Sequence, residues 1–87
     1  MTVELEFDKP TAAWVKDRVW HPSQQLKRLP RGRMQMILSV ADSREVVGWV
    51  LSFGSGVKVV QPDSLRMAIA EEARRILQES PRNGNGR

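Results

Sequence analysis

The stretch Arg28–Val40, RLPRGRMQMILSV, decides how this chain is read. Pro30-Arg31-Gly32-Arg33 carries turn residues between two extended runs. After the turn, Met34, Met36, Leu38 and Val40 alternate with Gln35, Ile37 and Ser39. A period of two predicts a strand with one buried face. Ile37 interrupts the polar side, so that side is expected to be partly covered. Before the turn, Gln24–Leu29 reads as a more polar partner strand. The centre of the chain is therefore a hairpin.

Working outward toward the N-terminus, Thr2–Phe7 also alternates, with Val3, Leu5 and Phe7 against Glu4 and Glu6. Asp8 can cap a helix that tolerates Pro10 in its first turn. Trp14, Val15 and Val19 give that helix its apolar stripe. Pro22 cannot continue it, so it is expected to end near Val19 or Trp20.

Toward the C-terminus, Asp42 with Glu45 three residues on resembles a capping box. Val46, Val47, Val50 and Leu51 form the expected buried stripe of a second helix. Trp49 and Phe53, four apart, adjoin each other on its flank. Gly54 reads as the helix stop. Val57–Val60 is a short strand. Pro62 and Asp63 open a last helix with Leu65, Ile69, Ala73, Ile76 and Leu77 on one face and a Glu71–Arg75 pair on the solvent side. The order β-α-β-β-α-β-α predicts an α+β fold: a ferredoxin-like antiparallel sheet with an additional C-terminal helix. The domain is expected over residues 1–79, with residues 80–87 a polar, disordered tail.

Composition removes several functions. A chain of 87 residues buries only about 60% of its unfolded surface, so its core is thin. No cysteine is present, which excludes disulfides, thiolate metal sites and cysteine catalysis. The single His and the scattered acids give no metal-ligand spacing and no catalytic set. Ser23 lies two residues from His21, a spacing that rarely makes a working pair. Gly54-Ser55-Gly56 follows a helix and lacks a Lys-Thr ending, so it is not a phosphate loop. No enzyme activity, cofactor or metal is expected. No apolar run approaches the ~20 residues that cross a bilayer, and the N-terminus is not a signal peptide, so a cytoplasmic protein is expected.

The net charge is +4, unevenly spread. Between Asp17 and Asp42 no acid occurs, while Arg18, Lys27, Arg28, Arg31 and Arg33 do, together with His21. Such a block suits an anionic partner, and it equally suits a hairpin kept soluble by its cations. The connector WHPSQ, Trp20–Gln24, is unusual in carrying an indole and the His. Trp20 can plug the helix exit; His21, Ser23 and Gln24 can brace the turn or present donors to a ligand or a neighbouring domain. Trp20, His21, Ser23, Gln24, Arg28, Arg31 and Arg33 together are the candidate effector or interface surface. Trp14, Trp49 and Phe53 are expected in the core.

WHPSQQLKRL, followed by DSREVVGWVLSFGSGVKVVQPDSLRMAIAEEARRIL, resembles the WCX domain, the C-terminal extension of WYL-domain transcriptional regulators. VELEFD, AAWVKDRVW, WVLSFG and VVQPDSLR also correspond, and the resemblance covers about residues 2 to 79. It implies a ferredoxin-like module that follows a DNA-binding helix-turn-helix and a WYL domain in bacterial regulators. It also implies dimer contacts and a surface facing the WYL effector site, the effector being nucleic acid in some members. This chain is then expected to be a C-terminal fragment. Its partners would be the WYL domain of the same full-length chain, a second copy in a homodimer, and a nucleic-acid or other anionic effector, with no membrane. The alternative is a stand-alone nucleic-acid binder like RRM modules, which stack bases on strand aromatics; only Phe7 lies in a strand run here.

Overall fold

A computed structural model describes residues 1–79. The elements are β1 (Thr2–Phe7), α1 (Lys9–Val15), β2 (Gln25–Arg28), β3 (Met34–Ser39), α2 (Val47–Leu51), β4 (Val57–Gln61) and α3 (Asp63–Glu79). Short 3-10 turns occupy Pro30–Gly32, Ser43–Val46 and Gly54–Gly56. The expected disordered tail, residues 80–87, lies outside the described residues.

The strands form one antiparallel sheet in the order β2-β3-β1-β4. Leu5 sits opposite Met36 on one side and Val59 on the other; Phe7 sits opposite Met34 and Val57. These side chains share one face. Ala12 and Val15 of α1, Val46 and Val50 around α2, and Leu65 of α3 complete the same core. All three helices therefore cover that face. The other face is a polar lattice: Gln35 Nε2 donates to Glu4 at 2.9 Å, Gln61 Nε2 donates to Glu4 at 3.1 Å, and Arg33 reaches Glu6 at 3.2 Å. Ile37 on this face is half-buried, as its interruption of the polar side predicted.

Asp8 caps α1, its Oδ1 accepting from the Thr11 N–H at 3.0 Å. The Thr11 side chain, then its backbone, hold the Asp8 carboxyl below its ordinary value of 3.8. A lowered carboxyl stabilises the fold above its unfolded value and loses that contribution as pH falls through the folded one. Asp8→Ala should thus lower the Tm by roughly 5 °C at neutral pH. The difference from wild type should shrink as the pH drops below 3.8. Thermal scans at both pH values check this, and an unchanged difference at acid pH would contradict it.

Helix boundaries depart from expectation where tertiary contacts intervene. α1 ends at Val15 rather than near Val19 or Trp20. The chain folds back there, and the Val15 carbonyl accepts from the Arg18 N–H at 3.2 Å and from the Trp20 indole at 3.1 Å. Asp42 does cap, accepting from the Arg44 N–H at 2.9 Å, but it opens a 3-10 turn that leads into a five-residue α2. Val46, Val47 and Gly48 are weak helix formers, which favours this short, mixed segment. Gly54 stops it with φ +59.

In α3 the expected apolar face is only partly used. Leu65 is fully buried and Ile69 packs against the core, whereas Ala73, Ile76 and Leu77 are exposed. The reason is length: 17 residues of helix span about 25 Å, more than the about 17 Å of a five-residue strand. Arg75 pairs with Glu72 at 3.6 Å rather than with Glu71.

Candidate interaction site

The loop Trp20–Gln24 is organised by its own side chains. Gln24 Oε1 accepts from the backbone N–H of Trp20 (2.6 Å) and of His21 (3.1 Å), and its Nε2 donates to the Arg18 carbonyl at 2.9 Å. Ser23 ties the loop to the end of β3: its Oγ accepts from the Ser39 N–H at 2.8 Å and lies 3.2 Å from the Ser39 carbonyl. His21 and Ser23 do meet, with Oγ 2.7 Å from Nδ1. The Ser23 N–H also points at Nδ1, at 3.1 Å. An Nδ1 that accepts from an amide places the ring proton on Nε2. Among the described residues no carboxylate orients this ring, and Ser23 is committed to Ser39. The pair is a brace. Ser23 and Gln24 spend their polar groups inside the loop, which leaves His21 Nε2–H as its outward donor.

Met1 lies at the same end of the sheet. Its ammonium donates to the Val40 carbonyl at 2.8 Å, and the Val40 N–H returns a bond to Met1 at 2.9 Å. Val40 directly follows Ser39, so the chain start and the loop are neighbours.

Every Trp and Phe of the protein belongs to one cluster under this loop. Phe53 is its hub, with ring centroids 5.2 Å from Phe7, 5.8 Å from Trp14, 5.8 Å from Trp20 and 5.1 Å from Trp49. Trp20 bridges Trp14 at 5.4 Å and Trp49 at 5.8 Å, which is the expected plug. Trp14, expected in the core, is instead 55% exposed on the cluster's rim. The Arg18 guanidinium covers it, 5.5 Å from its ring and 5.6 Å from that of Trp20. Val19, expected in the apolar stripe of α1, lies beyond the helix end and is exposed. The stacking arises because the chain turns back after Val15 and carries Arg18 over Trp14 and Trp20.

The arginines of the hairpin stand elsewhere. Arg28 ends β2, about 13 Å of extended chain from Gln24, so the seven candidate residues form two groups at opposite ends of that strand. Arg31 is exposed in the turn at φ +66. Arg33 is paired with Glu6, so the acid-free window of the sequence is not acid-free in space. Lys9 lies across Gly32, where an added Cβ would come within 2.8 Å of its side chain. Lys9, Lys16, Arg28 and Arg33 rim a groove of about 450 Å³ floored by Ala12, Leu29 and Met34. The two lysines were not legible as site residues, because only the short α1 sets them beside the hairpin.

The sequence profile of the WCX domain matches residues 1–77. The chain belongs to the WCX domain family. It is also 30% identical over 64 residues to Protein PafC of Mycobacterium tuberculosis, in strain CDC 1551 / Oshkosh and in strain ATCC 25618 / H37Rv. The aligned stretch is 74% of this chain and 20% of PafC, so the chain spans about one fifth of the length of these curated relatives.

Other properties of this WCX domain bear on its chemistry. Among the described residues, no group of His, Asp and Glu could hold a metal ion, and no helix is long and apolar enough to cross a membrane. The open sheet face carries Glu4, Glu6, Lys27, Gln35, Ile37 and Lys58. Phe7 points into the core, so that face offers no ring on which a base could stack.

Proposed function

We propose that this WCX domain is the C-terminal regulatory and oligomerisation module of a WYL-family transcription regulator. The observation that carries the reading is the WCX match over residues 1–77. The strand order β2-β3-β1-β4 supports the finer description of the fold as ferredoxin-like. A WYL domain of the same full-length chain would pack beside Trp20–Gln24, at the end of the sheet where β1 begins opposite Ser39. In this reading the braced loop, with His21 Nε2–H and the half-exposed Trp14–Trp20 edge, is the face that meets it. Trp and Arg are the residues that most often anchor such contacts. The exposed outer half of α3, with Leu77, is the surface for a second copy. An anionic effector would be met by Arg28 and Arg31, with Arg33 already engaged by Glu6.

The test is amide hydrogen exchange on this chain alone and on a longer polypeptide that carries the preceding domain. Trp20–Gln24 should gain protection in the longer chain. Protection gained elsewhere, with this loop unchanged, would refute the orientation. Sedimentation checks the dimer, which should appear at twice the 9.9 kDa chain mass.

A further inference from the structure

We propose that the outer edge of β2, together with the groove between it and α1, is a docking site for an extended acidic peptide segment of a partner protein, taken up as a fifth strand. β2 is the terminal strand of the sheet and pairs only with β3. Leu29 donates its N–H to Arg33 across the hairpin at 3.0 Å. Antiparallel pairing alternates, so Lys27 and Gln25 also turn their N–H and C=O toward β3. Leu26 and Arg28 turn theirs outward, which leaves two donors and two acceptors in line on an open edge.

The surroundings select the occupant. Leu26 and Arg28 lie opposite the buried Met36 and Met34, so their side chains stand on the helix side of the sheet. There Lys9, Lys16 and Arg28 surround the apolar floor of Ala12, Leu29 and Met34. Lys27 stands on the open face, where the alternate side chains of an added strand would meet it. Asp17 is the acid that lines this region, beside Lys16, and Arg33 is balanced by Glu6. The edge is thus cationic on both faces with an apolar strip on one.

A second copy of this chain fits poorly. Edge-to-edge antiparallel pairing of two β2 strands would set either Lys27 or Arg28 against its own duplicate when centred on that residue, and like charges across a ladder repel. Single-stranded nucleic acid also fits poorly, because every Trp and Phe is gathered in the cluster around Phe53 and no ring lines the groove. Edge lysines on a short strand also guard against aggregation. That role explains Lys27 but not the cations set on α1 across the groove. An extended polypeptide uses the backbone edge, and acidic side chains use Lys9, Lys16, Lys27 and Arg28.

The inference stands apart from the effector reading above, and the experiment separates them. The probe is a fluorescent peptide of repeating Glu-Glu-Val-Val, which sets acids on both faces of an added strand, titrated by anisotropy against the wild-type chain and a Lys16→Glu, Arg28→Glu variant. The variant should bind about tenfold more weakly, as should a peptide with Lys in place of Glu against wild type. Two further peptides are N-methylated on one or the other alternate set of amides. One set should lose binding and the other retain it, because only one row of amides faces β2. Equal binding of both would overturn strand addition even if charge still mattered. Binding of an oligothymidylate at the same residues, without binding of the acidic peptide, would overturn the proposal and favour an anionic nucleic-acid effector.

Discussion

Replacing Phe53 with alanine should cost about 3 kcal/mol of stability, among the largest effects of any single substitution in this domain. The side chain is half-buried, so the area it removes from water places it at the low end for Phe→Ala. Its position raises the cost. Four rings meet it edge-on, from Phe7 in β1 to Trp14 in α1, Trp20 in the loop and Trp49 in α2. Each such pair contributes roughly 0.5–1.5 kcal/mol beyond area. Without Phe53 the indoles lose their common neighbour and the loop loses its floor. A domain of this size has roughly 4–13 kcal/mol in total, so the loss is a large share. Urea unfolding followed by tryptophan fluorescence reads both stability and the change in indole environment. Trp14→Ala is the comparison: with Trp14 55% exposed, it should cost about 1 kcal/mol. The reverse ranking would show that the rim, not the hub, holds the cluster.

The cluster also shows what was legible in the sequence. The hairpin around Pro30–Arg33 and the alternation in Thr2–Phe7 and Met34–Ser39 are local signals, and they correspond to strands in the structure. Trp49 and Phe53 sit one helical turn apart, so their contact was also readable. The convergence of Trp14 and Trp20 on Phe53 was not, because it depends on how far α1 runs before the chain turns back. Periodicity extended α1 through Val19. The structure ends it at Val15, whose carbonyl accepts from the Trp20 indole, while Gln24 holds the returning loop through Arg18, Trp20 and His21. The candidate surface met the same limit. Neighbours in sequence, His21 and Ser23, are neighbours in space, but the sheet carries Arg28 to the opposite end and pairs Arg33 with Glu6.

Gly56 is a further position whose role only packing reveals. Its carbonyl accepts from the Asp8 N–H at 3.0 Å, which brings the start of β4 against the cap of α1. A Cβ there would collide with the Thr11 hydroxyl and lie 3.1 Å from the Thr11 Cβ. Beside a Gly-Ser-Gly run this looks like loop composition. In the fold it is a close approach that no other residue allows without displacing the capped turn.

Leu65→Ala should be the other severe substitution, costing about 3 kcal/mol and detaching α3. Leu65 is the one residue of α3 that is fully buried, and Ile69, a turn later, packs only partly. The 17-residue helix is thus held near its N-terminal end, and little beyond Ile69 contributes to the core. A cavity at Leu65 removes the anchor itself. An isolated helix of this length is marginal in water, so detachment should also melt it. Far-UV circular dichroism should then lose helical signal at concentrations of denaturant where the sheet, followed by tryptophan fluorescence, still holds. A single coincident transition would show that α3 is coupled to the whole fold. Leu77→Ala separates the two duties of the helix. At 76% exposure it should change the stability of the lone chain by no more than about 0.5 kcal/mol. If the outer half of α3 receives a second copy, the same substitution should weaken self-association. Sedimentation would then shift toward the 9.9 kDa species while the monomer's unfolding midpoint stays in place. A stability loss at Leu77 equal to that at Leu65 would mean that the far half of the helix is packed within one chain, and the dimer surface would have to lie elsewhere.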